Sequence, residues 1–96
     1  MATIIENLNK AFESRIRLGI MSILMVNESA DFNMIKELLD LTDGNLASHI
    51  KALEGFDYIE STKQFIGRKP NTKYTLKALG RQSFQEHLDA LESLIR

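Results

Sequence analysis

Leu41-Thr42-Asp43-Gly44-Asn45-Leu46-Ala47-Ser48-His49-Ile50-Lys51-Ala52-Leu53-Glu54-Gly55-Phe56-Asp57-Tyr58-Ile59 is the stretch on which the reading of this chain turns. Thr42 is a good helix N-cap, since its hydroxyl accepts a bond from an otherwise free first-turn N–H. Asp43 then sits in the first turn, where its charge complements the positive end of the helix dipole. Successive residues rotate about 100° around a helix, so Leu46, Ile50 and Leu53 share one side and must point into a core. The opposite side carries Gly44, Ser48 and Lys51, flanked by Asn45 and Ala52, with His49 on the flank nearer the buried stripe. Gly55-Phe56-Asp57 closes the helix, and Tyr58-Ile59 opens a strand.

Upstream, Asn33 is positioned to cap a short helix from Met34 to about Asp40 that buries Ile35, Leu38 and Leu39. The tight turn Leu41-Thr42 joins the two, which makes a helix-turn-helix unit. Ser14 caps an earlier helix, about Arg15 to Val26. Its Ile16, Ile20, Ile23 and Leu24 form one stripe and Leu18, Met21 and Met25 another, so it needs two partners. Ile4, Ile5, Leu8, Ala11 and Phe12 recur at helical spacing and predict a short amphipathic leader helix. Downstream, an imperfect alternation reaches Phe65, Gly67 to Asn71 supplies turn residues, and Lys73-Tyr74-Thr75-Leu76 returns as a second strand. A last helix, about Lys77 to Ile95, repeats Phe84, Leu88, Leu91 and Ile95 as a seam. The expected fold is mainly α with a small β-hairpin wing (α+β): a three-helix core, the wing, and flanking N- and C-terminal helices in one domain, residues 1–96.

The 96 residues suffice for one core, and 44% hydrophobic with 26% charged is ordinary globular composition. There are no cysteines, which excludes disulfides, thiolate metal sites and cysteine nucleophiles. No apolar run approaches the roughly 20 residues that cross a bilayer, and no signal-peptide pattern opens the chain, so no membrane partner and a cytoplasmic location are expected. The net charge of −1 is unevenly placed. Residues 1–43 hold four Lys/Arg against seven Asp/Glu, residues 44–81 seven against three, and residues 82–96 one against three. The middle segment is cationic, and local field outweighs total charge where one face meets phosphates.

A capped helix with a polar outer face beside a basic hairpin can enter a DNA major groove while the hairpin covers the flanking backbone. Asn45, Ser48 and Lys51, with Thr42 and His49 beside them, are the candidates for groove and phosphate contact. Arg68 and Lys69 at the hairpin tip, with Lys63 and Lys73 on its strands, are the candidates for minor-groove and backbone contact. Pro70 is read as stiffening the turn. No phosphate-cradling Gly-rich loop, Gly-x-Ser-x-Gly or paired nucleophile and base is present, so catalysis is not expected. His87 is the one histidine on the last helix and Asp89 points away from it, so it is read as a surface residue. No metal and no cofactor are expected.

Taken in order, Arg17-Leu18-Gly19-Ile20, Asp31-Phe32, Leu41 to Ile50, Leu53 to Ile59, Lys63-Gln64-Phe65, Gly67 to Thr72 and Leu76 to Arg81 resemble the winged helix-turn-helix regulators of the MarR/ArsR type. That resemblance covers nearly the whole chain. It implies a transcriptional regulator that binds a pseudo-palindromic double-stranded DNA site as a homodimer, repression being the expected mode. Ser48-His49 matches a pair found in the family's recognition helix. Gly80-Arg81 matches the start of its last helix, with Arg81 placed to reach the DNA backbone; Lys77 stands where the family has a Thr cap. Surplus apolar surface on Ile5, Leu8, Phe12, Phe84, Leu88, Leu91 and Ile95 is expected to form the twofold interface. An apolar cleft between the terminal helices and the core is a possible place for a small-molecule effector. The competing reading is a winged-helix protein-interaction module that never touches DNA, which the overall acidity favours.

Overall fold

The computed structural model describes residues 5–96, which span 56 × 25 × 22 Å. The elements run α1 (Arg15–Val26), β1 (Ala30–Asp31), α2 (Phe32–Leu39), α3 (Asp43–Gly55), β2 (Ile59–Ile66), β3 (Lys69–Leu76) and α4 (Ala78–Leu94). The three strands form one antiparallel sheet in the order β1-β3-β2. This is the expected α+β winged helix-turn-helix. Ile20, Met21 and Leu24 of α1, Ile35 of α2, Leu46, Ile50 and Leu53 of α3, Ile59 and Tyr74 of the sheet and Phe84 of α4 make the core. Burying side chains of this size contributes about 1.5–3 kcal/mol each, before chain entropy is set against it.

Two aspartates in left-handed backbone aim the central elements. Asp40 (φ 52°) ends α2, with its N–H on the Glu37 carbonyl and that of Leu41 on the Lys36 carbonyl. Asp57 (φ 65°) ends α3 in the same way, its N–H on Glu54 and that of Tyr58 on Leu53. Both are Schellman closures, a role that glycine commonly fills. The first turns the chain straight into α3, whose cap is Thr42: Oγ1 accepts the Asn45 N–H at 3.2 Å. Lys36 of α2 and Asp43 of α3 pair across that turn at 2.7 Å, with the Asp43 carboxylate exposed, for no more than about 1 kcal/mol.

Several expectations are corrected. The cap of α2 is Asp31, whose carboxylate accepts the Met34 N–H at 2.8 Å, so the helix starts two residues before the expected Met34. Asn33 is already inside it. The leader helix is only a 3₁₀ turn, Lys10–Phe12, and Ile4 lies outside the described residues. Asn9 explains the difference. Its side chain accepts the Ala11 N–H at 2.9 Å, and its own N–H donates to His87 Nδ1 at 3.0 Å, so the segment is tied to α4 instead of continuing as a helix.

His87 is therefore not a surface residue: it is 4% exposed. Its ring meets Phe12 edge-on at 5.3 Å, and Phe12 in turn meets Phe84 at 5.1 Å and Tyr58 at 5.4 Å. Burial pushes the His87 pKa down, opposed by the nearby charge of Glu13. The neutral ring thus keeps the lone pair that Asn9 needs.

The start of α4 rests on the backbone of Tyr58. Lys77 supplies no side-chain cap; its N–H donates to the Tyr58 carbonyl at 2.9 Å and its ammonium pairs with Asp57. A Cβ on Gly80 would lie 2.0 Å from that carbonyl oxygen, so only glycine permits this approach. The family-like Gly80 is accordingly a packing residue. Gly80→Ala should lower the unfolding free energy by about 3 kcal/mol in urea titration, since backbone must move to admit a methyl group. Gly55→Ala, with open space around it, should be neutral or stabilising by up to about 1 kcal/mol.

Candidate nucleic-acid interface

The buried stripe of α3 decides what its other side offers. With Leu46, Ile50 and Leu53 at 3% exposure or less, Gly44, Asn45, Ala47, Ser48 and Lys51 are all exposed on the outer face. Thr42 is exposed beside them, at the helix N-terminus. His49 is half-buried at the edge of this face and is tied to α1: its Nδ1 lies 3.1 Å from an Arg17 NH group. A guanidinium can only donate, so Nδ1 is the acceptor and the ring proton sits on Nε2. Nε2 is therefore the remaining donor of the His49 ring. Burial, and secondly the charge of Arg17, lower its pKa. Arg17 also donates from Nε to the Ala11 carbonyl at 2.6 Å, so one side chain joins the N-terminal segment, α1 and α3. Arg17 lies on α1 and His49 on α3, so helix spacing alone does not connect them. The available signal was a cation set between Ile16 and Leu18, inside the apolar pattern of α1.

The hairpin is tighter than the sequence suggests. Ile66 pairs with Lys69, leaving a two-residue turn of Gly67 and Arg68 with Gly67 at φ 65°. Pro70 belongs to β3, opposite Phe65. In a two-residue hairpin the closing pair exchanges hydrogen bonds and the next does not, so the missing Pro70 N–H would have pointed away from β2. On that side β1 pairs only with Lys73 and Tyr74, so the ladder is complete without it.

Strand alternation separates the basic residues of the wing. Lys63 shares a face with Phe65, Pro70, Thr72 and Tyr74, while Lys69 and Lys73 lie on the other face with Thr62 and Ile66. Arg68 stands at the apex. Lys63, Arg68 and Lys69 are exposed, whereas Lys73 is half-buried and lies opposite Asp31 of β1 in register. The three ion pairs among the described residues are Lys36–Asp43, Lys77–Asp57 and Arg96–Glu92, so Lys51, Lys63, Arg68 and Lys69 are not engaged in any of them. Arg81 is elsewhere: its guanidinium lies 3.7 Å from the Met25 sulfur, near the end of α1.

Other expected positions divide between core and surface. Phe12 and Phe84, expected at a subunit interface, are 3% and 1% exposed within the subunit's own core, drawn there by Tyr58 and His87. Leu88 is half-buried against the same core, and Leu8 is half-buried as well. Ile5, Leu91 and Ile95 stay exposed at 62%, 38% and 85%. The expected apolar effector cleft is replaced by an open depression between the N-terminal segment and α4, lined by Glu6, Asn7, Lys10, Glu86 and Asp89 among others. Among the described residues no group of three His, Asp or Glu side chains converges as a metal site, and no helix is long and apolar enough to cross a membrane.

A helix-turn-helix followed by a β-ribbon whose tip stands clear of the body defines a winged-helix domain. The family profile described as "Winged helix DNA-binding domain" matches residues 16–95, and the chain belongs to that family, one of DNA-binding domains and not of enzymes. An uncharacterized protein of Methanocaldococcus jannaschii is 37% identical over 79 residues, which are 82% of this chain and 86% of that protein. The transcriptional regulator homologue of Pyrococcus horikoshii superimposes with a TM-score of 0.84 at 33% identity, over 96% of this chain and 89% of that one. AbfR, a protein of Staphylococcus epidermidis, shares the fold in a structure of its overoxidized form bound to DNA, with a TM-score of 0.76 at 20% identity over 95% of this chain and 66% of AbfR.

Replacing Arg17 by Met keeps the bulk of the side chain and removes its charge and donors. His49 should then titrate closer to 6.5, because one of the two causes of its lowered pKa is gone. Ring-proton shifts followed against pH measure this directly. An unchanged or lower value would mean that the Arg17–His49 contact is absent in solution.

Proposed function

We propose that this chain is a homodimeric, sequence-specific regulator of transcription that binds double-stranded DNA, with α3 in the major groove and the β2–β3 wing against the neighbouring minor groove and backbone. The observation that carries the reading is the outward face of α3, where Ser48, Asn45 and Lys51 stand free of internal partners, next to a cationic ribbon. From Ser61 to Leu76 the ribbon holds Lys63, Arg68, Lys69 and Lys73 and no acidic residue. Thr42, Asn45, Ser48, His49 and Lys51 form the proposed groove surface. Lys63, Arg68 and Lys69 form the proposed wing contacts, with Lys73 in a lesser role. Arg81, exposed at the start of α4 beside Met25, is kept as a proposed contact to the DNA backbone.

Few cations per subunit make a single copy a weak binder at physiological salt, and doubling the contacts remedies that. The proposed twofold interface uses the outer face of α4, Leu88, Leu91 and Ile95, together with Ile5 and Leu8 of the N-terminal segment. Such a pairing would set two α3 helices about 34 Å apart, one turn of DNA. Bound at a promoter, the dimer would exclude polymerase, so repression is the proposed mode.

Fluorescence-anisotropy titration against duplex DNA at several salt concentrations tests the DNA reading. Affinity should fall as salt rises. The double variant Arg68→Ala, Lys69→Ala should bind more weakly, with a log–log salt slope shallower by about 0.9 for each phosphate it no longer neutralises. Affinity indifferent to salt and to these substitutions would instead mark an interaction module of the same fold. The interface is tested separately: sedimentation of Leu91→Lys, Ile95→Lys should give a folded monomer, and a dimer that survives would place the twofold contact elsewhere.

A further inference from the structure

We infer that the wing tip is an apolar wedge, and that this protein bends the DNA it binds by pressing Phe65, backed by Pro70, into a minor-groove base step. This rests on the DNA-binding reading above and extends it from contact to deformation. The sheet has three strands only near its base, since β1 meets β3 at Lys73 and Tyr74 alone. Beyond that point no third strand joins the hairpin, and Phe32 and Asn33 of α2 flank Lys63 and Pro70 to Thr72 only across an open depression. At the hairpin's end Phe65 is 74% exposed and Ile66 58%, both outside the hydrophobic core.

Isolated exposed apolar residues are common on protein surfaces; here Phe65 shares one face with Pro70, which makes a small apolar patch at the tip of a cationic arm. Phe65 and Pro70 are cross-strand partners on one face, so a flat ring stands beside a rigid pyrrolidine. Ile66 occupies the other face, opposite Lys69. Arg68 crowns the turn and Lys63 follows Phe65 down the same face, so cations surround the apolar tip and no carboxylate lies within the arm. That charge pattern selects a polyanion with an apolar interior that can be pried open, which describes the minor groove of a duplex. Proteins that insert Phe, Ile or Pro between base steps unstack them and kink the helix, and flexible pyrimidine–purine steps yield most easily.

The test uses the full chain and an A·T-rich linear duplex with TA steps, labelled with donor and acceptor dyes at its ends. Saturating protein should bring the dyes closer. Phe65→Ser should need several-fold more protein to saturate and, once saturated, should leave the duplex straight; Phe65→Trp should restore the bend. Phe65 is 74% exposed and lies outside the core, so both variants should keep the wild-type circular dichroism and melting temperature. Binding that leaves the duplex straight, or a bend equal in Phe65→Ser, overturns the wedge while leaving the DNA-binding reading intact. Absence of any binding by the wild type overturns both. A change of sedimentation in Phe65→Ser, with bending retained, would assign the tip to contacts between protein copies and overturn the wedge as well.

Discussion

The burial of one stripe on α3 is the constraint from which the interface geometry follows. Leu46, Ile50 and Leu53 are fixed against α1 and the sheet, and a helix cannot turn one side inward without turning the other outward. Rotating α3 to hide Ser48 or Lys51 would drag these three side chains into water, at about 1.5–3 kcal/mol each. The polar face is thus held rigidly by apolar packing some distance from anything it would touch. Arg17 of α1 adds a polar tie to the same helix, through His49.

The wing is positioned by a different set of forces. Asp57 in left-handed backbone redirects the chain from α3 into β2, and the same carboxylate then holds the Lys77 ammonium at the far end of the hairpin. Gly80 lets α4 press on the Tyr58 carbonyl at the same place. Both roots of the ribbon and the start of α4 are consequently gathered at Tyr58, whose hydroxyl accepts a bond from Asn9 of the N-terminal segment at 3.0 Å. Movement of the wing relative to α3, or of α4 relative to the core, must pass through this junction. The junction also ties chain ends to wing: Asn9 touches Tyr58 with its side chain and His87 with its backbone.

Periodic features were legible in the sequence. Thr42 as cap, the buried stripe of α3, the outward Ser48 and Lys51, and α1 from Ser14 to Val26 all follow from local rules. What local rules could not supply was competition between distant residues. Asn33 and Asp31 are both good caps, and the β1–β3 pairing, which puts Asp31 in extended backbone, decided between them. His87 looked exposed because its own helix offers no cover; the cover comes from Asn9 and Phe12, about eighty residues away in the chain. Phe12 and Phe84 fitted an interface stripe equally well, until Tyr58 and His87 completed an aromatic cluster inside one subunit. At the wing, turn residues extend from Gly67 to Asn71, and only strand register reveals that two of them make the turn.

A net charge of −1 is compatible with binding a polyanion because of how far charges act. At physiological ionic strength screening sets in over about 8 Å, so a phosphate responds to the side chains that touch it and hardly to carboxylates across a molecule 56 Å long. With a net charge near zero, little long-range pull toward nucleic acid operates before the cationic surface is in contact. In the proposed mode binding rests on close fit of α3 and the wing, and a chain with so few cations there gains more from shape than from charge. An arm that reads how easily a base step opens, beside a helix that reads base edges, is the kind of recognition which such a charge distribution leaves available.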